Sequence, residues 1–168
     1  MADLAASGTL TIVGEFRFRS RWRLPASPDT VYAVLADVAG YPLWWPQIRS
    51  ARPLGDGAGE LTCRSLLPYD LTFAMRREIE DPAGRVLRAR LEGDLVGISQ
   101  WTIDGDAAGT IAVFDEEVDV AVAARPGTRG GLVRAAGRLA RPALRYNHDH
   151  MMRSGERGLR QHLSARAE

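Results

Sequence analysis

The chain contains no lysine, a single cysteine and three histidines in 168 residues. With Cys63 alone there is neither a disulfide framework nor a cysteine-based metal site, and a reducing compartment fits. No stretch of about 18 apolar residues is available to span a bilayer. Met1 to Val13 also lacks the basic start and unbroken apolar run of an export signal. The expectation is a cytoplasmic protein. The glycines form no phosphate-binding loop after a strand, and no Gly-x-Ser-x-Gly elbow exists for a serine nucleophile. That every basic side chain is arginine is a bias of composition with no mechanism attached.

What is present is the make-up of one ordinary globular domain, 45% hydrophobic and 26% charged. The formal net charge of +1 hides an asymmetry. Residues 125–168 carry ten arginines against three acids, and the first 124 carry twelve against eighteen. Residues 15–164 are expected to form a single domain between short tails, 1–14 and 165–168.

Alternation dominates the first two thirds. From Glu15 to Leu24, Phe16, Phe18, Trp22 and Leu24 share one face and Arg17, Arg19, Arg21 and Arg23 the other, the period of a half-buried strand. Ser27 as N-cap and Pro28 at the first helical position open a helix striped by Val31, Val34, Leu35 and Val38. Gly40 and Pro42 end it, and Tyr41-Pro42-Leu43-Trp44-Trp45-Pro46 reads as an aromatic turn. Six further strands are expected, 47–54, 60–67, 71–80, 85–92, 96–104 and 110–123, separated by short Asp/Gly/Pro turns that imply antiparallel neighbours.

The last quarter changes period. At 100° per residue, Leu144, His148, Met151, Met152, Gly155, Leu159, His162 and Leu163 fall on one side of a long helix, with Tyr146, His150, Arg153, Arg157 and Arg160 opposite. Pro142 is expected to divide this helix into a preliminary turn and a main rod. An antiparallel sheet of seven strands leaves its concave face open unless something covers it, and this helix alone has the length. The fold class is therefore α+β, a sheet wrapped around a C-terminal helix with two short helices after the first strand.

Several residues stand out. Leu71, Phe73, Met75 and Ile79 share the expected inner face of one strand, and Gly97, Ser99 and Trp101 that of another, where the small residues leave room for a ligand or the helix. Glu116 lies by period two on the apolar face of Phe114, Val118 and Val120, where a carboxylate is costly unless paired or protonated. It is either an acid/base group, a partner for His148 or an inward arginine, or a surface residue turned outward by a bulge. His148, mid-way along the helix's apolar side, is a proton donor and acceptor near neutral pH or a core histidine bonded to its neighbours. Asn147 orients a ligand carbonyl or bonds the first strands. Trp44 and Trp45 offer a flat wall for an aromatic or sterol-like ligand, or plain core, with one of the two expected to be structural. Met151 and Met152 suit irregular ligands and fill cores equally well.

His148 and His150 cannot chelate one ion, because residues two apart on a helix point about 200° apart. No metal is expected. Arg129, Arg134, Arg138, Arg141 and Arg145 offer a surface to an acidic carrier protein or an anionic membrane. The commoner use of such a run is a solvated face whose stems cover apolar surface. Basic positions are not interleaved with exposed aromatics, so nucleic acid is not expected.

The order of elements resembles the helix-grip fold of the START-like, or SRPBCC, superfamily. Specific stretches look like its polyketide cyclase/dehydrase group: Trp44-Trp45-Pro46, Leu67-Pro68-Tyr69, Gly93-Asp94-Leu95-Val96-Gly97 followed by Trp101, and Tyr146-Asn147-His148-Asp149 with Met152. The resemblance spans roughly Phe16 to Leu163. It implies a hydrophobic small molecule held between sheet and helix against Trp44, Trp45, Phe73, Met75, Trp101, Phe114, Asn147, Met151 and Met152. Two functions are open: cofactor-free cyclisation and dehydration of a polyketide-like chain with His148, Glu116 and Tyr69 relaying protons, or carriage of a lipid or aromatic metabolite without chemistry. Both need a hollow, and fold alone does not choose between them.

Overall fold

A computed structural model describes residues 10–64, 70–123 and 130–166, with side chains from Glu15 and excluding those of 121–140. Seven strands form one antiparallel sheet: β1 Leu10–Leu24, β2 Ile48–Gly55, β3 Ala58–Cys63, β4 Leu71–Asp81, β5 Val86–Gly93, β6 Leu95–Asp106 and β7 Gly109–Ala123. They lie in the order β1-β7-β6-β5-β4-β3-β2, so consecutive strands are neighbours except that β1 closes against β7. Between β1 and β2 stand α1, Pro28–Ala36, and a 3-10 helix, Val38–Leu43. The long helix α2, Gly130–Ala165, ends the chain. This is the helix-grip arrangement expected. β1 begins at Leu10, inside the stretch read as a tail.

Local chemistry explains the elements. Ser27 caps α1 by accepting from the Thr30 N–H, with Pro28 in the first turn where its missing donor costs nothing. Asp37 closes α1 and starts the 3-10 helix by accepting from the Gly40 N–H. In β1, Phe16, Trp22 and Leu24 are buried while the four alternating arginines are exposed. Arg17 and Arg19 face Glu117 and Asp115 of β7 at 3.7 and 3.5 Å, exposed pairs of small energetic weight.

The expected alternation fails at Ile79. That residue, expected on the inner face with Leu71 and Phe73, is 40% exposed. The register between β4 and β5 shifts between Arg77 and Ile79, which breaks the period of two. Gly97 also has a different reason from the one expected. Its φ is +154° and an added Cβ would collide with the Glu117 carbonyl oxygen, so the residue serves the close passage of β7 and not a ligand.

The helix α2 is continuous across Pro142, which does not divide it. The proline removes one N–H from the ladder. Its buried face comprises Leu144, Asn147, His148, Met152, Ser154, Gly155, Leu159 and Leu163. Two side chains fasten the helix to the β1 edge: the Arg23 N–H donates to Glu156 Oε1 at 2.8 Å, and Arg160 donates to the Arg23 carbonyl at 3.0 Å. Those bonds satisfy backbone groups that an edge strand otherwise presents to strangers. Among the described residues no helix is long and apolar enough to cross a membrane.

The approach of α2 to the tryptophan turn is very close. A Cβ on Gly158 would collide with the Trp44 carbonyl oxygen, and one on Gly155 would stand 2.6 Å from Trp45 Cε2. The Trp45 indole donates to the Met151 carbonyl at 3.0 Å, and Trp22 meets both Trp44 and Trp45 edge-on. Gly158→Ala tests this contact by the sign of its effect. Helix propensity alone would stabilise the chain by about 1 kcal/mol, whereas overpacking against a carbonyl costs about 1–3 kcal/mol. A net fall in stability in urea denaturation is expected, and a net rise would refute the contact.

Candidate functional site

Between the concave face and α2 lies a hollow of about 90 Å³. β7 supplies Phe114 and Glu116, β1 Phe18, β4 Phe73 and Met75, β6 Ser99 and Trp101, the aromatic turn Trp45, and α2 Asn147, His148, Met151 and Met152. The ring of Phe18 stacks on His148 with centroids 3.9 Å apart, and Phe114 stacks beyond at 6.3 Å.

Glu116 faces inward because β7 keeps its register there, with Phe18 opposite it on β1 and Ser99 opposite it on β6. It is 8% exposed, and its Oε2 stands 3.5 Å from His148 Nε2. Both His148 ring nitrogens are buried, and among the described residues neither makes a hydrogen bond of good geometry. The nearer carboxylate on the Nδ1 side, Asp149, is 3.9 Å away and more than half exposed, beyond hydrogen-bond length. Burial pushes the Glu116 carboxyl up to about 7 and the His148 imidazole down to about 4, with Asp149 pulling the imidazole weakly the other way. At pH 7 the imidazole is thus neutral and about half of the Glu116 carboxyl is protonated, so an un-ionised acid facing a neutral base is a well-populated form. Such a pair can give a proton and take one in the same small space.

The expected lining is largely assembled. Phe73, Met75, Trp101, Phe114, Asn147, Met151 and Met152 border the hollow with Glu116 and His148. Trp44 does not border it. It is buried on the far side of Trp45, under Gly158 and against Tyr41, and is the structural member of the pair. Tyr69 and Arg129, and the side chains of Arg134 and Arg138, lie outside the described residues. Cys63 also borders the space, but burial pushes its thiol up to about 12, away from thiolate chemistry. Among the described residues no three His, Cys, Asp or Glu side chains gather in a metal-binding group. Arg141 and Arg145 place their guanidinium groups over the Phe16 and Phe18 rings at 5.3 and 6.0 Å, and Phe18 borders the hollow.

Of the lining residues outside the set expected from the sequence, Phe18 and Ser99 stand nearest the Glu116–His148 pair. Phe18 is legible as inward from its alternation, but only the structure puts its ring on His148. Ser99, 5% exposed and directly opposite Glu116, is legible as sharing the Trp101 face.

A second hollow of about 310 Å³ lies on the same side of the sheet, beneath the stretch from Leu35 to Tyr41 and bounded by the β2–β3 hairpin, β4, β5 and β6. Tyr41, Met75, Ser99 and Trp101 border both spaces. Tyr41 is committed, its hydroxyl donating to the Leu35 carbonyl at 2.7 Å.

The two displaced titrations act on stability with opposite sign. The Glu116 value is raised from 4.5 to about 7, so its contribution falls as pH rises from about 4.5 to 7. The His148 value is lowered from 6.5 to about 4, so its contribution rises with pH from about 4 to 6.5. The two offset in the overlap. Glu116→Gln should therefore unmask stability rising with pH between about 4 and 6.5, and His148→Phe stability falling between about 4.5 and 7, each by up to about 3 kcal/mol. Urea denaturation across this pH range measures it, and variant profiles parallel to the parent would contradict the assignment.

Comparison with known proteins agrees with this architecture. The family model described as "Polyketide cyclase / dehydrase and lipid transport" matches residues 15–147. No curated protein matches the chain. Among solved structures it is similar to the Zhui aromatase/cyclase of Streptomyces sp. R1128, at 22% identity and a TM-score of 0.73 over 92% of this chain and 97% of that one. It is also similar to a protein of Thermus thermophilus, at 19% identity and 0.63 over 90% and 99%. A START superfamily protein of Mycobacterium smegmatis matches at 18% identity and 0.57 over 88% and 97%. At these identities the structures share the fold, and the matched span decides the family: the chain belongs to the polyketide cyclase/dehydrase and lipid transport family.

Proposed function

We propose that the protein binds a hydrophobic polyketone and catalyses its cofactor-free aldol cyclisation and dehydration at Glu116 and His148. The observation that carries this reading is the pairing itself: a carboxyl group raised to about 7 faces, at 3.5 Å, a buried imidazole stacked on Phe18, inside an aromatic hollow. The family description and the aromatase/cyclase among the similar structures support the same chemistry.

The proton inventory closes over two steps. In the aldol step neutral His148 takes a proton from the methylene carbon between two carbonyls, and that carbon bonds to a second carbonyl carbon while Glu116 protonates its oxygen. The pair is left as carboxylate and imidazolium. In the dehydration step the Glu116 carboxylate takes the remaining proton from the same carbon, and the C–O bond breaks as imidazolium protonates the departing hydroxyl to give water. Both residues return to their starting states. Confinement supplies the other half of catalysis, because a chain held between the sheet and the helices presents few pairs of carbons to the acid–base pair.

The lipid-transport half of the family description supports a second reading, in which Glu116 and His148 only anchor a carried molecule. Incubation with a poly-β-ketone separates the two. Cyclisation predicts one product enriched over the spontaneous mixture, with Glu116→Gln and His148→Ala each lowering its rate by about 10² or more. A mixture unchanged by the parent protein, with the ketone recovered bound, would establish carriage instead.

A further inference from the structure

The space beside Glu116 and His148 is too small for the ligand this site is proposed to hold. At about 90 Å³ it falls short of a cavity of about 150 Å³ that accepts benzene, and far short of the roughly 300–1,000 Å³ of sites for drug-sized molecules. The hollow beneath α1 and the 3-10 helix, about 310 Å³, is within that range. Four residues border both: Tyr41, Met75, Ser99 and Trp101.

We infer that the ligand is elongated and straddles this waist, its reacting carbonyl end beside Glu116 and most of its bulk in the outer hollow. This rests on the reading given under Proposed function and adds to it the shape of the molecule and the place of its greater part.

The chemistry of the outer wall says what that part is. Each arginine on it already faces a carboxylate: Arg52 with Glu60, Arg77 with Glu80, and Arg88 with Glu78 at 3.6 Å, Arg77 donating also to the Ala36 carbonyl. Leu35, Val38, Ala51, Met75, Ile79 and Leu87 make up an apolar remainder. A neutral, apolar extension fits such a wall, and an anionic one meets only arginines that already face carboxylates. At the waist Met75 is half-buried and unbranched, able to change rotamer as a chain passes. Ser99 puts a hydroxyl at the crossing, opposite Glu116 on the neighbouring strand.

A homologous series of alkyl phenyl ketones, from acetophenone to dodecanophenone, tests the inference through quenching of tryptophan fluorescence, since Trp101 borders both spaces. Each added methylene buried in the outer hollow should tighten binding by up to ~4-fold, so affinity should climb with chain length in the parent protein. Ala51→Trp fills the outer hollow without touching the inner one. It should leave the shortest ketones within about threefold, roughly the worth of a single methylene, and abolish the gain with length. Val38→Trp, on the 3-10 helix and not in the sheet, should do the same if Ala51→Trp fails to fold. Binding that climbs equally in parent and filled variants would overturn the inference while leaving the acid–base site intact. No binding of any ketone to the parent would instead remove the ligand-binding reading on which it stands.

Discussion

The height at which α2 rides over the sheet governs everything else in this protein. Two glycines, Gly155 and Gly158, let the helix backbone settle directly onto Trp45 and the Trp44 carbonyl, and no side chain is available there to act as a spacer. The Trp45 indole then bonds the Met151 carbonyl, and Glu156 and Arg160 fasten the helix to Arg23. Contact is tight at this end. Further toward its N-terminus, at Asn147 to Met151, the same helix faces aromatic rings and a carboxyl group across a small void. A rod held firmly at one end and standing off at the other gives a hollow whose size is set by backbone contact and not by adaptable side chains.

Into that hollow the fold places two groups that each resist being there. Burial of Glu116 opposes its negative charge and burial of His148 opposes its positive charge, so each is driven toward its neutral form. Their mutual distance of 3.5 Å keeps the ionised pair within reach as well. The alternative forms differ only in which of the two holds the proton, and neither adds net charge to the apolar surroundings. A site built this way needs no ion from outside to remain electrically neutral during proton transfer.

Much of this is legible in the residues. Alternation from Glu15 to Leu24 and from Thr110 to Val120 assigns both faces of those stretches, and the helical period of 144–163 puts His148 and Met152 on the buried side. Where alternation is broken by geometry that leaves no mark in residue type, a reading from sequence fails. The register shift after Arg77 exposes Ile79, and nothing in its side chain announces that. Gly97 reads as a source of space when it marks backbone approach, a distinction that belongs to φ and not to composition. The division of labour between Trp44 and Trp45 likewise depends on which ring the helix covers. Pro142 is harmless to the course of α2, although it deprives one carbonyl of its partner.

The edge position of β1 carries a consequence for how the chain reaches this state. Its partners lie far along the polypeptide, with Leu24 opposite Thr110 and Phe16 opposite Val118. During synthesis the first strand emerges early and then waits through the making of five others before its complement exists. Pairings so distant in sequence are slow to form, and an early strand with a row of aromatic side chains invites association with other nascent chains meanwhile. The alternating arginines along its other face give that unpaired segment like charge, which disfavours its association with copies of itself.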